Sequence, residues 1–281
     1  MKSFYIIARS FGEQHIKYVN FVKDYLLSRG AICDVDTQTC TDESDDKIDL
    51  QKDYDCVITV GGDGTVVRVA QNLSNTDIPI VGLNCGHLGY LCDMSTDNVE
   101  HCLDMLLSDN TRIDERMMLD GILDDDELNS YTALNDIVIS SAAAGIAVLN
   151  LKVSVNGIQL YSHNCDGLIL ATPTGSTAYN LSANGPIVSP HSDCIILTPI
   201  NPHTLNSRSI ILSSDDEIQI EVGSRHFDDT EEATVIYDGV SRQILHKGEV
   251  LKVTRSKATT KMVRLESANF LERIRARMQE I

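Results

Sequence analysis

The stretch Cys56-Val57-Ile58-Thr59-Val60-Gly61-Gly62-Asp63-Gly64-Thr65 decides the fold of the first half of this chain. Five mostly β-forming residues run directly into three glycines around one carboxylate, and the sequence from Val66 onward has a helical pattern. We therefore predict a strand, a tight turn and a helix that begins near Thr65. Glycines can adopt positive φ and let backbone amides approach an anion closely, and the helix start adds a partial positive charge. This turn therefore suits a phosphate group.

Asp63 is the unusual member of this turn. A carboxylate among phosphate-binding amides repels the phosphate unless it binds a metal ion or accepts a proton from the reacting group. The alternative is structural, because Asp and Thr often cap the N-terminus of a helix, and Asp63 or Thr65 could do so here. The turn taken alone leaves both interpretations open.

The segments around this turn predict a parallel α/β sheet. Phe4–Ala8 and Ala31–Val35 have the pattern of strands, and an amphipathic helix over residues 13–29 separates them. Ile78–Asn84 is a further strand, and it leads into the glycine-containing segment Cys85–Leu91. Open parallel sheets bind ligands at the carboxyl ends of their strands, so both glycine loops should face one crevice.

Beyond about residue 111 the pattern changes to short β-rich runs separated by turn residues, such as Ser130–Ser140 and Val250–Thr254. Asn156-Gly157 lies between two such runs and is a hairpin signal. Residues 267–281 form an amphipathic helix, whose Arg273, Arg275 and Arg277 suit the helix dipole. The sequence thus predicts an α/β domain followed by a mainly-β domain.

Composition excludes several classes of partner. The net charge of −18 over 281 residues argues against general affinity for nucleic acid or an anionic membrane surface, because both require basic surface. Eight cysteines without a C-x-x-C pair indicate reduced core thiols, and neither they nor the histidines have zinc-ligand spacing. The N-terminal apolar run is too short for a signal sequence, and no segment nears the ~18 apolar residues of a membrane span. We therefore expect a soluble, cytoplasmic protein.

A second informative stretch, DGLILATPTGSTAYNLSANGPI, covers Asp166–Ile187. A buried strand ends here in a turn rich in hydroxyl groups, and no charged residue occurs from Gly167 to Ser192. Hydroxyls, backbone amides and Tyr179 can bind sugar hydroxyls and an aromatic base by hydrogen bonding and stacking. The structural alternative is a Ser/Thr turn that caps one helical turn, although such turns are seldom this long.

Together these stretches resemble the bacterial NAD kinases. The motifs are GGDGT at 61–65, GLNCGHLGYL at 82–91, ALND at 133–136, the stretch at 166–187 and TPINPHTL at 198–205, and they occur in the family's order at about its spacing. GGDGT is shared with lipid kinases of the diacylglycerol and sphingosine type, and a near relative of it occurs in phosphofructokinases. The TPTGSTAY segment separates NAD kinases from both.

The resemblance implies an architecture and an activity. It implies a Rossmann-like or phosphofructokinase-like α/β domain over residues 1–111, a β-rich NAD-binding domain over 112–257, and a C-terminal helix over 258–281 that returns to the first domain. The family transfers a phosphoryl group from ATP, or in some members polyphosphate, to the adenosine 2′-hydroxyl of NAD, giving NADP. It uses Mg²⁺ or another divalent ion, and a homodimer or homotetramer is expected.

The resemblance also implies roles for individual residues. It makes Asp63 the proton acceptor, with Gly64 beside it on NAD, and Arg68 a basic NAD contact. The donor phosphates should meet Gly61, Gly62, Gly64 and Thr65. The remaining residues expected to line the NAD site are Asn135, Asp136, Asp166, Thr177, Ala178, Tyr179, Asn180, Leu181 and Ser182. No protein ligands for the metal ion are implied.

The sequence departs from the family pattern at three positions. Asp136 replaces the more usual Glu, which shortens the side chain by one methylene but keeps its charge. Asn184 stands where many members have Gly, and Val240 where many carry Gln, so no contact is expected at Val240. Two alternative functions remain: a lipid kinase of the GGDGT group, which predicts a large apolar pocket, and a non-catalytic NAD or NADP sensor, which the presence of Asp63 disfavours.

Overall fold

The structure is a computed structural model. It describes residues 1–8, 12–36, 48, 50, 52–86, 89–141, 148–204, 206–223, 232–265 and 270–279. Cys40 and His87, which belong to the cysteine set and the second glycine motif, lie outside these residues. Within the described residues, no helix has both the length and the apolar character needed to cross a membrane.

The elements follow one another along the chain with short connections. The first part contains β1 (Ser3–Ala8), α1 (Glu13–Ser28), β2 (Ile32–Val35), β3 (Cys56–Gly61), α2 (Asp63–Asn72), β4 (Ile80–Asn84), β5 (Met94–Ser95), α3 (Val99–Leu107) and β6 (Arg112–Leu123). The middle part contains β7 (Ser130–Ala133), β8 (Asp136–Ser141), β9 (Leu149–Val155), β10 (Ile158–Cys165), β11 (Gly167–Ala171), the short helix α4 (Tyr179–Ser182), β12 (Cys194–Ile200) and β13 (Ile210–Ser213). The last part contains β14 (Ile218–Val222), β15 (Glu232–Tyr237), β16 (Val240–His246), β17 (Val250–Arg264) and α5 (Phe270–Gln279).

The chain divides into two compact units. The first unit comprises residues 1–115 and 260–281, and the second comprises residues 116–259. The boundaries fall inside β6 and β17, so each of these strands has residues in both units.

A parallel sheet in the order β2-β1-β3-β4 forms the centre of the first unit. β2 follows β1 on one side and β3 lies on the other, so the strand order reverses between β1 and β3. Crevices at the carboxyl ends of such strands are the usual ligand sites of open α/β sheets. The end of β3 at Gly61 therefore lies at the position where this fold binds ligands.

Two antiparallel sheets form the second unit. One has the order β10-β9-β14-β17, with β6 paired to β17 and β7 to β6, and the other has the order β13-β12-β11-β8-β15-β16. Their facing side chains form one large core cluster that includes Ile137, Ile139, Leu168 and Leu170. The alternate residues Val138, Ile169, Ala171 and Ile196 are buried on the other face of the second sheet. Because strand side chains alternate between faces, these near-continuous apolar runs mark a sheet covered on both sides.

Most predicted elements are confirmed, and their errors are local. The Asn156-Gly157 hairpin joins β9 to β10, with positive φ at both turn residues. The predicted single run Ser130–Ser140 is wrong, because it is interrupted between β7 and β8. Strand β16 was not predicted, and β17 continues ten residues beyond the predicted end at Thr254 because its later residues alternate between polar and buried positions.

A buried acidic residue anchors the C-terminal helix within the first unit. The Asp93 carboxylate, 2% exposed, pairs with Arg264 of β17 and Arg273 of α5 and accepts the backbone N–H of Leu265 at 3.1 Å. Arg264 also bonds Asp114 at 3.2 Å. Both guanidinium groups are mostly buried, so neither can replace this partner with water.

We predict that Asp93→Ala lowers the free energy of unfolding of the protein by about 3–5 kcal/mol, because it leaves two mostly buried cations without their shared partner. Urea unfolding followed by circular dichroism measures this change. The control is Asp77→Ala, which removes an exposed ion pair with Lys261 and should leave the unfolding midpoint unchanged. Equal midpoints for the two variants would contradict the prediction.

Candidate active site

Asp63 lies in the first turn of α2, directly after the carboxyl end of β3. The helix begins two residues earlier than predicted, and its N-cap is Gly62, which makes no side-chain capping bond. The structural alternative for Asp63 and Thr65 is therefore wrong. The Asp63 carboxylate instead accepts the backbone N–H of Tyr90 at 2.6 Å and that of Leu91 at 3.1 Å. A carboxylate oxygen has two acceptor positions, so each oxygen keeps one for a substrate.

The glycines of the second motif allow the loop of residues 89–92 to approach Asp63. A Cβ on Gly89 would overlap the Asp63 carboxylate, so a larger residue cannot occupy this position without displacing one of them. A Cβ on Gly82 would lie 2.7 Å from Cys92 Sγ and 2.9 Å from Val66, which keeps the loop and α2 close to β4. Burial, with the nearby Asp63 charge, raises the pKa of the Cys92 thiol, so this thiol is protonated at neutral pH.

The glycines at the start of α2 act through open space rather than unusual backbone angles. Gly62 has an extended φ of −103°, Gly64 lies within the helix, and neither has positive φ. No atom lies within 4 Å of a Cβ built on Gly62, and both glycines are exposed. Gly61 is different, because a Cβ there would overlap the buried Thr65 side chain. The first amides of a helix lack intrahelical acceptors, so this exposed start can bind an anion.

Arg68 lies one helical turn after Gly64 on the same face of α2 and is half-buried. Helical side chains point back toward the N-terminus, so the Arg68 guanidinium extends along the face that Gly64 leaves uncovered. This placement brings Gly61, Gly62, Asp63, Gly64, Thr65 and Arg68 together at one end of α2.

In the second unit, the Asp238 carboxylate organises the loop between β7 and β8. It accepts the backbone N–H groups of Leu134 at 2.8 Å, Asn135 at 2.7 Å and Asp136 at 3.0 Å. The same loop contacts the hydroxyl-rich turn, because Thr172 donates its hydroxyl to the Leu134 carbonyl at 2.6 Å. Two motifs that are distant in sequence thus form one continuous surface within this unit.

The Asp136 side chain is 5% exposed, and the backbone N–H of Tyr179 donates to it. Burial, followed by repulsion from the Asp238 carboxylate, raises the pKa of Asp136 to about 7, although the Tyr179 N–H acts in the opposite direction. Asp136 therefore joins the ALND loop directly to the start of α4.

The hydroxyl-rich turn presents only part of its predicted binding set to solvent. Asn180 is fully buried, and its amide donates to the carbonyls of Ser176 and Pro186 and accepts the Thr198 hydroxyl at 2.7 Å. Tyr179 is 46% exposed, and Leu181 and Ser182 are exposed beside it. Thr177 and Ala178 are half-buried. The exposed face of this turn is therefore centred on the Tyr179 ring.

Asp166 lies apart from this surface. It precedes β11, whereas the hydroxyl-rich turn follows the same strand, so about 20 Å of extended chain separates them at ~3.3 Å per residue. Asp166 accepts the Asn201 side-chain amide at 2.9 Å and lies 3.8 Å from His203. Its neighbours therefore come from the TPINPHTL motif rather than from the turn.

Three functional residues were not identified from the sequence. Asp238 has a signal, because Asp238-Gly239 is a hairpin dipeptide and both residues have positive φ between β15 and β16. Arg116, which is buried and donates to the Thr174 hydroxyl at 3.2 Å, has no local signal. Arg273 was assigned to the helix dipole, but it donates to the carbonyls of Tyr90 and Cys92.

The fold and the glycine–aspartate loop place the chain in the class of phosphotransferases that carry a GGDGT loop. The family model of the ATP-NAD kinase N-terminal domain matches residues 12–111, and that of the ATP-NAD kinase C-terminal domain matches residues 134–265. The chain belongs to the ATP-NAD kinase family.

Relatives agree with this membership over the whole chain. An NAD kinase of Agathobacter rectalis is 39% identical and one of Lachnospira eligens is 38% identical, and each alignment covers 99% of this chain and at least 99% of the relative. The fold resembles that of yeast NADH kinase, solved with NADH, with a TM-score of 0.87 at 24% identity over 99% of this chain and 88% of the other. It also resembles an NAD kinase of Archaeoglobus fulgidus, solved with ATP, with a TM-score of 0.78 at 24% identity over all of both chains. The predicted two-domain NAD kinase architecture is confirmed.

We predict that Gly89→Ala reduces kcat by about 100-fold, because its Cβ displaces the loop or the Asp63 carboxylate and a misplacement near 1 Å has this scale of effect. Steady-state kinetics of NADP formation measures the change. Gly86→Ala is the matched control in the same loop, since its Cβ would lie 3.8 Å from the nearest atom. A Gly89→Ala enzyme as active as Gly86→Ala would contradict this account of the loop.

The Asp136 carboxyl predicts a pH dependence of stability. Its folded pKa of about 7 exceeds the value of 3.8 in the unfolded chain, so the folded protein holds the extra proton and its stability falls as pH rises between these values. Asp136→Asn removes this term. Urea unfolding should show the variant gaining about 1–4 kcal/mol relative to wild type between pH 4.5 and pH 8. A constant difference at both pH values would show that Asp136 does not titrate in this range.

Proposed function

We propose that this protein transfers the terminal phosphoryl group of ATP to the adenosine 2′-hydroxyl of NAD and produces NADP. The observation that carries the proposal is the geometry of Asp63. Its carboxylate is fixed by two backbone amides at the carboxyl end of β3, and one acceptor position stays open on each oxygen. Membership of the ATP-NAD kinase family supports the substrates.

Asp63 acts as the proton acceptor for the attacking hydroxyl. Phosphoryl transfer through a loose transition state depends mainly on positioning and on stabilisation of charge, and the hydroxyl proton leaves late. A carboxylate that already accepts two N–H groups is a weak base, which is sufficient for a late proton transfer. Its rigidity lets it orient the hydroxyl toward the donor.

The donor phosphates bind at the start of α2. Gly61, Gly62, Gly64 and Thr65 supply the backbone there, and the exposed Gly62 and Gly64 leave room for phosphate oxygens. The helix dipole favours the negative charge. ATP is the proposed donor, which the ATP complex of the Archaeoglobus fulgidus relative supports; polyphosphate would meet the same amides.

Mg²⁺ is the proposed divalent ion, and the donor set suits an ion that arrives with the nucleotide. The described residues contain no group of three or more His, Cys, Asp or Glu side chains that could hold a metal. Mg²⁺ at phosphoryl-transfer sites is held largely by substrate phosphates and waters, with one or two carboxylates. The ion would neutralise charge on the donor phosphates next to Asp63.

The NAD-binding set comes from both units. In the first unit it comprises Asp63, Gly64 and Arg68. In the second it comprises Asn135, Asp136, Asp166 and residues 177–182, with the exposed Tyr179 ring as a stacking or ribose-binding surface. Because the Asp136 and Asn180 side chains are buried, we infer that these two residues act chiefly by holding the loop and the turn in shape.

The two alternative functions make different predictions. A lipid kinase needs a large apolar surface for its substrate, whereas the exposed part of the hydroxyl-rich turn carries Tyr179 and Ser182. A sensor would bind NAD without turnover, so the assay below separates it from an enzyme. We further propose a cytoplasmic homodimer or homotetramer, on the basis of the family resemblance, with domains at residues 1–111, 112–257 and 258–281.

We predict that Asp63→Asn lowers kcat for NADP formation by about 10²- to 10⁴-fold while NAD still binds. The measurement uses purified protein with NAD, ATP and Mg²⁺, and an NADP-specific dehydrogenase reports the product. Asn has one acceptor oxygen for two N–H donors, so thermal unfolding of the variant is measured in parallel, and NAD binding by calorimetry. Near-normal turnover by a folded variant would refute Asp63 as the proton acceptor, and no NADP from wild type would refute the kinase assignment.

A further inference from the structure

Arg273 lies against the loop that holds Asp63. Its Nη1 donates to the Tyr90 carbonyl at 3.0 Å and to the Cys92 carbonyl at 2.9 Å, and its Nη2 pairs with Asp93. Arg273 is the fourth residue of α5, near the positive end of the helix dipole, where a cation is unfavourable. The dipole therefore does not explain this arginine, and its contacts with the loop must.

One of these contacts reaches Asp63 through a single peptide group. The Tyr90 carbonyl and the Leu91 N–H belong to the same peptide unit, and this N–H donates to Asp63 Oδ1 at 3.1 Å. A cation that bonds the carbonyl end polarises the unit and makes its N–H a stronger donor. The guanidinium, the peptide group and the carboxylate thus form a continuous chain of hydrogen bonds.

The neighbouring Arg264 does not occupy this position. Its closest contacts are the carboxylates of Asp93 and Asp114, and its bond to the Leu91 carbonyl is long at 3.4 Å. Arg264 therefore serves mainly the buried charge cluster. Arg273 combines membership of that cluster with a direct bond to the peptide group that holds Asp63.

We propose that Arg273 is a positioning residue for phosphoryl transfer, which fixes and polarises the Tyr90–Leu91 peptide group so that Asp63 is held toward the reacting hydroxyl. This inference rests on the role of Asp63 proposed above. Arg273 acts on the transition state through Asp63, so its loss should lower kcat and leave the KM values for NAD and ATP nearly unchanged.

Three variants test the proposal. Arg273→Met removes the charge and the donors at similar side-chain length, Arg273→Lys keeps a charge without the planar fork, and Arg275→Met is the matched control at an exposed position of the same helix. We expect kcat to fall about 10- to 100-fold in Arg273→Met, to fall less in Arg273→Lys, and to stay at the wild-type value in Arg275→Met. Asp93 keeps Arg264 and the Leu265 N–H in all three variants.

Amide hydrogen exchange provides a readout that does not depend on activity. The Leu91 amide should exchange faster in Arg273→Met than in wild type, while amides in the core of β3 keep their protection. Arg275→Met should exchange as wild type does. If Arg273→Met is too unstable at 25 °C, Arg273→Lys serves as the test in both measurements.

Two outcomes would overturn the proposal. One is a kcat for Arg273→Met equal to that of Arg275→Met. The other is a loss of activity that follows only the fraction of unfolded protein, with unchanged exchange at Leu91 and no recovery in Arg273→Lys. If wild type forms no NADP but Leu91 exchange still responds to Arg273, the structural link stands and the proposed function fails, so the two failures are distinguishable.

Discussion

Two peptide N–H groups hold the carboxylate of Asp63, and the arrangement of the first unit depends on this restraint. A carboxylate in the first turn of a helix could cap its own helix or rotate into solvent. Here the loop of residues 89–92 supplies its partners, so both oxygens have fixed directions. The restraint requires close packing, which Gly82 and Gly89 permit because neither carries a side chain. The second glycine motif therefore exists to place a residue of the first.

The second unit uses the same physical device at a different place. Asp238 accepts three successive backbone N–H groups, from Leu134 to Asp136, and so fixes a loop that has no regular structure. In both units a carboxylate of the protein occupies a concave set of amides of the kind that elsewhere binds an external anion. This explains how an acidic chain can contain loops rigid enough to bind a dinucleotide.

The sequence predicted the fold and the composition of the site better than the contacts within the site. Strands such as β3 and β11 were predictable because their apolar runs end at glycine or at turn residues. The extent of β17 and the presence of β16 were not, since their polar residues alternate with buried ones only once partner strands are known. Asp63 was identifiable from its setting among glycines. Its amide partners, and the role of Arg273, were not, because these contacts join segments that no local pattern connects.

The contact between Arg273 and the Tyr90 carbonyl spans 183 residues of sequence. Proteins are synthesised from the N-terminus, and their earlier segments begin to fold before the later ones emerge. The parallel sheet and the GGDGT loop can therefore form early, while the support behind Asp63 is absent until α5 leaves the ribosome. A nascent chain of this protein would assemble its nucleotide-binding elements first and would complete the setting of its key carboxylate only at a late stage of translation.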